Sequence, residues 1–351
     1  MKIPKLARSL PTLLLSALAL PSAADDLSRG LYCTATARFQ FDACLAEAQA
    51  DAARNRALCV NLANPARREA CLDDARDDLV EARGECAEQH EARLALCDAL
   101  GQQRYEPRFE PALFDADPRS PSRPYPWFPL GVGNVWRYAG AESIVVNVLD
   151  KTKLIDGVRC IVVRDRVVED GVVVEDTFDW YGQRKNGSVD YCGEISRNYE
   201  LFDGDQPPEP ELVDVDGSWK AGRDGDLAGT QMLYAPYVGA VYRQEFSPGT
   251  AEDAARVLAI DYGWGGGGTP LDRFVPPALA QYLCAAHDCL VVEEFTPLEP
   301  DALGLKYYAR GVGLFLEVDP ESGETVQLVG CNFDSRCAGL AALPPPAARQ
   351  R

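Results

Sequence analysis

The chain has 351 residues, 54 acidic against 35 basic side chains, a formal charge of −19 and 46% hydrophobic residues. That length and apolar content can build a substantial core in one to three domains, while the negative balance argues against nucleic acid and anionic membrane surfaces as partners. Two histidines leave little material for a His-rich metal site, two methionines argue against a thioether copper site, and twelve cysteines fit an oxidising compartment.

Residues 1–24 read as a secretion signal. Lys2, Lys5 and Arg8 supply a basic start, an apolar stretch over 10–20 follows, and Ser22-Ala23-Ala24 offers small residues for a cut after Ala24. The apolar run is too short to span a bilayer, and no later segment reaches the roughly 18 apolar residues required. Removing the signal leaves 32 basic against 54 acidic residues, a charge of −22. The expectation is an exported protein, periplasmic or extracellular, with no membrane span.

Residues 25–101 are rich in Ala, Glu, Asp and Arg and hold six cysteines, Cys33, Cys44, Cys59, Cys71, Cys86 and Cys97. Their spacings of 11, 15, 12, 15 and 11 form a palindrome: first and sixth, second and fifth, third and fourth residue numbers share one sum, 130. Facing residues of an antiparallel hairpin share such a sum. The centre falls at Pro65, preceded by Asn64, a favoured N-cap and first-turn pair, and Gly101 suits the position past the second helix. Steps of 11 and 15 keep the cysteines on one helix face at about 100° per residue. The spacing therefore predicts a helical hairpin with nested bridges Cys33–Cys97, Cys44–Cys86 and Cys59–Cys71. Two helices alone bury too little apolar surface to offset chain entropy, so the bridges carry weight; the innermost should contribute about 3 kcal/mol. A thiolate metal site would want C-x2-C spacing, and none occurs.

Residues 102–129 carry seven prolines and read as a stiff, extended linker. Residues 130–333 shift to Val, Tyr, Trp and Gly, the composition of antiparallel strands. Strands are predicted at 134–139, 143–149, 158–168, 172–181, 188–192, 240–246, 289–295, 306–308, 313–318 and 325–329, with helices at 251–258 and 277–284 and a glycine loop at 263–268. Glu169-Asp170-Gly171 is a strong hairpin signal. The fold class is α+β, a stapled helical hairpin followed by a mainly antiparallel sheet or open barrel. Local bridges are expected for Cys331–Cys337 and Cys284–Cys289, which leaves Cys160 for Cys192 although a simple meander would not set those two opposite. Residues 334–351 read as a flexible tail.

Several strings resemble an uncharacterised family of exported bacterial proteins. They are Trp127-Phe128-Pro129-Leu130-Gly131-Val132-Gly133-Asn134-Val135-Trp136, Asp179-Trp180-Tyr181-Gly182, Gly217-Ser218-Trp219-Lys220-Ala221-Gly222, Tyr242-Arg243-Gln244-Glu245, Thr296-Pro297-Leu298-Glu299-Pro300 and Lys306-Tyr307-Tyr308-Ala309. The resemblance spans about 125–330 of the chain and implies no activity and no catalytic residue.

No catalytic constellation stands out. A Ser/His/Asp site would need His90 or His287, and no G-x-S-x-G string accompanies either. The acidic cluster with Asp214, Asp216, Asp224 and Asp226 holds hard oxygen ligands in Gly-rich turns, which is calcium chemistry, yet the twelfth position counted from Asp214 is Gly225 where an EF-hand needs Glu. Asp and Gly are equally the ordinary turn residues. Aromatics such as Trp136, Trp180, Trp219, Tyr307 and Tyr308 serve core packing or the walls of a pocket. The reading is an exported, non-enzymatic binding or structural module for an unknown protein, small-molecule or glycan ligand. Its alternatives are a calcium-dependent or carboxylate-based hydrolase and an envelope spacer or interaction protein.

Overall fold

A computed structural model describes residues 23–265 and 270–342. The expected signal up to residue 22, part of the glycine loop and the tail beyond 342 lie outside them. No helix among the described residues is long and apolar enough to cross a membrane.

A short helix α1 (Ala23–Ser28) precedes two long ones, α2 (Tyr32–Cys59) and α3 (Pro65–Leu100). The Asn64 side chain accepts the Arg67 N–H at 3.1 Å, Pro65 fills the first helical position, and Gly101 follows Leu100 at φ +85°. Disulfides Cys33–Cys97, Cys44–Cys86 and Cys59–Cys71 join the helices with Cα separations of 5.5, 5.8 and 5.5 Å. Between them the seam is mostly alanine, Ala48, Ala52 and Ala82 around the single larger side chain Leu79, so the helices sit close and the cystines replace a conventional core.

Fifteen strands follow: β1 (Val135–Gly140), β2 (Ser143–Ile155), β3 (Val158–Glu169), β4 (Val172–Gln183), β5 (Val189–Ile195), β6 (Asn198–Glu200), β7 (Glu211–Asp214), β8 (Leu227–Met232), β9 (Val241–Arg243), β10 (Glu245–Phe246), β11 (Ala254–Tyr262), β12 (Cys289–Thr296), β13 (Glu299–Ala309), β14 (Gly313–Val318) and β15 (Thr325–Cys331). A helix α4 (Pro277–Leu283) lies between β11 and β12. The β2/β3 and β3/β4 hairpins turn on Asp156-Gly157 and Asp170-Gly171, all four at positive φ, the geometry of a two-residue primed turn.

The main path runs β10-β8-β5-β4-β3-β2-β1-β15-β14-β13-β12-β11-β9, all antiparallel, with β6 and β7 as a side ribbon. The two ends of that path, β10 and β9, are separated by Gln244 alone, so the chain itself brings the edges together into a nearly closed barrel. Gly229 on β8 makes the approach possible: a Cβ there would lie 1.7 Å from the Gln244 carbonyl oxygen.

Three expectations change. Residues 251–258 form no helix; from Ala254 they enter β11, where Ala255, Val257 and Ala259 alternate on the buried side between β9 and β12. Tertiary pairing overrides the helix propensity of that Ala-rich run. Residues 102–129 are no free linker but a strap over the barrel wall. Tyr105 Oη donates to the Ala228 carbonyl at 2.8 Å, Tyr125 Oη to that of Leu233 at 2.9 Å and Trp127 Nε1 to that of Asp288 at 2.8 Å, while Phe114 is buried. The described part of the expected tail is also held, by Cys331–Cys337 and a 3-10 helix Ser335–Ala342.

Cys160 on β3 and Cys192 on β5 are joined across the intervening strand. Neighbouring strands lie about 4.8 Å apart, so two steps along a flat sheet would exceed disulfide reach; the observed Cα separation is 6.8 Å. Gly182 on β4 lies beneath the bridge, its absent Cβ only 3.3 Å from Cys192 Sγ. Bending of the wall and a missing side chain together permit the pairing that a plain meander would not. Cys284–Cys289 closes the loop after α4, so all twelve cysteines are bonded, which favours an oxidising compartment.

Candidate functional site: a carboxyl belt inside the barrel

One face of the sheet carries charged and phenolic side chains at one level almost all the way round. The register places Asp165 of β3 opposite Thr177 of β4, Asp179 of β4 opposite Glu194 of β5, and Lys306 of β13 opposite Glu317 of β14. Glu245 of β10, Asp253 beside β11 and Glu294 of β12 continue the belt. Tyr138 of β1 feels the charges of both Asp165 and Glu317 and so closes it. A cavity of about 620 Å³ opens against this belt, with Tyr181, Tyr191, Glu194, Glu245, Asp253 and Lys306 in its wall. A second, of about 410 Å³, shares Asp253, Glu294, Thr296 and Lys306 with it. Together they make a polar lumen.

Seven carboxyls of the belt face one ammonium. Burial pushes Asp165, Asp179, Glu194, Glu245 and Asp253 above the ordinary carboxylate range, and the charge of a neighbouring acid adds to the push on each, a belt acid in every case but Asp179, where it is Glu175 on the same strand. Asp179 and Asp253 are each raised to about 6. Burial alone would discharge Lys306, but Glu294 at 2.6 Å and Glu317 at 3.9 Å overturn that and hold it firmly protonated. Gln244 Nε2 donates to Glu294 Oε1 at 2.7 Å, and Trp219 Nε1 to Glu245 Oε1 at 3.2 Å. Asp165 Oδ1 is buried without a partner.

Hydrogen bonding makes the same point independently. Tyr191 Oη lies 2.5 Å from Asp179 Oδ1 and 2.8 Å from Glu194 Oε2. A phenol has one hydrogen and can donate to only one of them. Burial and the two adjacent acids keep that phenol protonated. Both short contacts are satisfied together only when one carboxyl also carries a proton and donates it to Tyr191. The trio Asp179–Tyr191–Glu194 thus stores a proton that a pair of ordinary surface acids would have lost.

The four aspartates considered for calcium are arranged otherwise. Asp214 accepts from Asn198 Nδ2 at 2.6 Å and from the Asp216 amide at 3.0 Å. Asp224 sits in a turn at φ +56°, 3.4 Å from Arg223 Nε. Asp226 is buried and accepts from the Lys220 amide at 3.4 Å, and Asp216 stands at the rim of the lumen. Among the described residues no group of three or more His, Cys, Asp or Glu gathers as a metal site. His90 stacks on Phe41 with ring centres 4.9 Å apart, and His287 occupies the Cys284–Cys289 loop at positive φ.

Sequence reasoning missed the belt. Its acids come from many separate strands rich in Val, Leu and Tyr, mostly in positions that alternation assigns to the inward face, with Asp253 just ahead of β11. A charge on that face, as at Asp165, Glu294 and Lys306, is the signal that could have found them. Residues from five of the six strings singled out in the sequence meet here: Tyr181, Gly217, Gln244, Glu245, Thr296 and Lys306 all line the lumen.

Comparison with protein-family models, curated proteins and solved structures returns no match.

Proposed function

We propose that the protein is an exported binding module whose barrel lumen takes a small polar ligand bearing a cationic amine. The observation that supports this is the charge imbalance of the wall, where Glu194, Glu245, Asp253, Glu294, Asp216 and Glu299 stand against one lysine, Lys306, around a cavity of about 620 Å³. Clustered acids in a low-dielectric wall focus negative potential and relieve it by taking up protons or a cation. An ammonium group entering the lumen replaces those protons, so binding releases protons at pH values where ordinary carboxylates are already ionised. The resemblance to exported bacterial proteins fits this setting, as does the full set of disulfides.

Isothermal titration calorimetry with putrescine, in two buffers of different ionisation enthalpy, tests the reading. It expects saturable binding with proton release, weakened about tenfold or more in Glu245→Gln or Asp253→Asn, the loss of one charge-assisted contact. Binding of a polyol such as sorbitol in preference to putrescine, or putrescine binding unaffected by both variants, would overturn it.

A second reading, carboxyl-based hydrolysis, is favoured by the proton shared through Asp179–Tyr191–Glu194, since a protonated acid beside an ionised one is the usual equipment of a glycosidase. Turnover of a nitrophenyl glycoside that disappears in Glu194→Gln would support it; no turnover across such a panel would end it.

A further inference from the structure

A second cavity, of about 640 Å³, lies where the base of the hairpin meets the closure of the barrel. Its walls are Leu27 of α1, Tyr32 and Phe39 of α2, Tyr105 of the strap and Phe246 of β10, with Arg243 of β9. Leu27 and Phe39 remain substantially exposed at its rim.

Arg243 is the unusual member. Its residue is only 9% exposed, yet among the described residues no carboxylate lies within ion-pair distance of it. Among the described residues the one hydrogen-bond contact of its guanidinium is a weak one, Nη2 to Cys33 Sγ at 3.7 Å, a sulfur already held in a disulfide. The guanidinium otherwise faces the rings of Phe246 at 5.1 Å and Tyr105 at 5.8 Å. The acid whose field reaches it is Glu252, but that carboxylate is held by Arg93 at 2.8 Å and by the Gly249 amide at 2.7 Å. Two guanidiniums therefore share one carboxylate, and a buried positive charge is left over. Arg104, over the Tyr32 ring at 4.0 Å, adds a second cation to the wall against one acid, Glu106. A surplus of positive charge in an aromatic cavity stands out on a chain with a formal charge of −19. A buried charge with no partner is costly and is satisfied by a ligand that brings the missing one.

We infer that this cavity is a binding site for a small amphipathic organic carboxylate, its anionic group on Arg243 and its apolar body against Leu27, Tyr32, Phe39 and Phe246. The volume lies within the ordinary range for small-molecule sites, about 300–1,000 Å³. The site is separate from the lumen and takes a ligand of opposite charge.

The test uses the full chain with decanoate as probe and decyltrimethylammonium as its charge-reversed control, followed by calorimetry. Decanoate should bind with one-to-one saturation and the cation should bind at least about tenfold more weakly, the worth of one charge-assisted contact. Arg243→Gln should remove at least about that factor for decanoate. Because Arg243 is buried, Phe39→Glu at the exposed rim provides a second variant whose folding is not at issue, and it should weaken decanoate binding similarly by placing a like charge at the mouth. Equal affinity for the two probes, or decanoate affinity unchanged in Phe39→Glu, would overturn the inference.

Discussion

Arg93, on the inner face of the helical hairpin, and Glu252, on the loop leading into β11, form a buried ion pair with contacts of 2.8, 2.9 and 3.1 Å. Their side chains are each 6% exposed. Nearby, Gln89 Nε2 donates to the Leu298 carbonyl at 2.9 Å. These contacts fix the hairpin against the barrel, whereas at its far end Leu58 and Val60 are exposed. The hairpin is therefore a docked element with a projecting tip.

Breaking the pair from one side should be costly, because the remaining charge stays buried. Arg93→Met or Glu252→Leu should each lose about 3–5 kcal/mol, and the double replacement Arg93→Met/Glu252→Leu should recover much of that. Chemical denaturation of the four proteins in a double-mutant cycle checks it; equal and additive small effects would contradict the assignment.

At the projecting tip the Cys59–Cys71 bridge closes the smallest loop of the hairpin, with a sequence separation of 12. Cys59→Ser/Cys71→Ser should cost the hairpin about 3 kcal/mol. Hydrogen exchange should rise in residues 52–79 and stay unchanged in β3 and β4, since no barrel contact depends on the tip.

Closure of the barrel depends on one missing side chain. Gly229→Ala would place a methyl 1.7 Å from the Gln244 carbonyl oxygen, a backbone group that cannot rotate away. The expected loss is about 3 kcal/mol, at the upper end for overpacking. Putrescine binding should fall with it, because Gln244 and Glu245 lie at that seam. A thermal melt at wild-type temperature for Gly229→Ala would show that the seam is looser than described.

Much of this architecture was readable beforehand, and unevenly. The cysteine palindrome around Pro65 encodes the hairpin because disulfide reach and helical repeat leave one arrangement. Asp170-Gly171 marks its turn because both residues sit at positive φ. The order of β8, β9 and β10 was not readable: these strands have six, three and two residues, and their pairing is set by closure of the ring rather than by local pattern. The belt was hidden for a similar reason. Asp165, Asp179, Glu245 and Glu294 are far apart in sequence, and only the register brings them to one level.

Stability should carry the signature of the belt. Asp179 is raised to about 6 when folded, so the folded state holds its proton more tightly than the unfolded chain does. Its favourable contribution is complete below about pH 4, the ordinary carboxyl value, and is lost as pH rises through about 6. Asp179→Asn mimics the protonated form and should gain on the wild type by up to about 3 kcal/mol between pH 4 and pH 7. Parallel curves of stability against pH for the two proteins would contradict this.

The central claim is that the buried belt carboxyls hold their protons well above the ordinary carboxylate range and that a cation displaces them. Carbon-detected NMR of the Asp and Glu carboxyls across pH 3–9, with and without putrescine, observes this directly. The account predicts resonances of Asp179 and Asp253 titrating near pH 6 in the free protein and moving to lower pH when putrescine is added. Titration of all belt carboxyls in the ordinary range of about 3.5–4.5, with or without the amine, would contradict it.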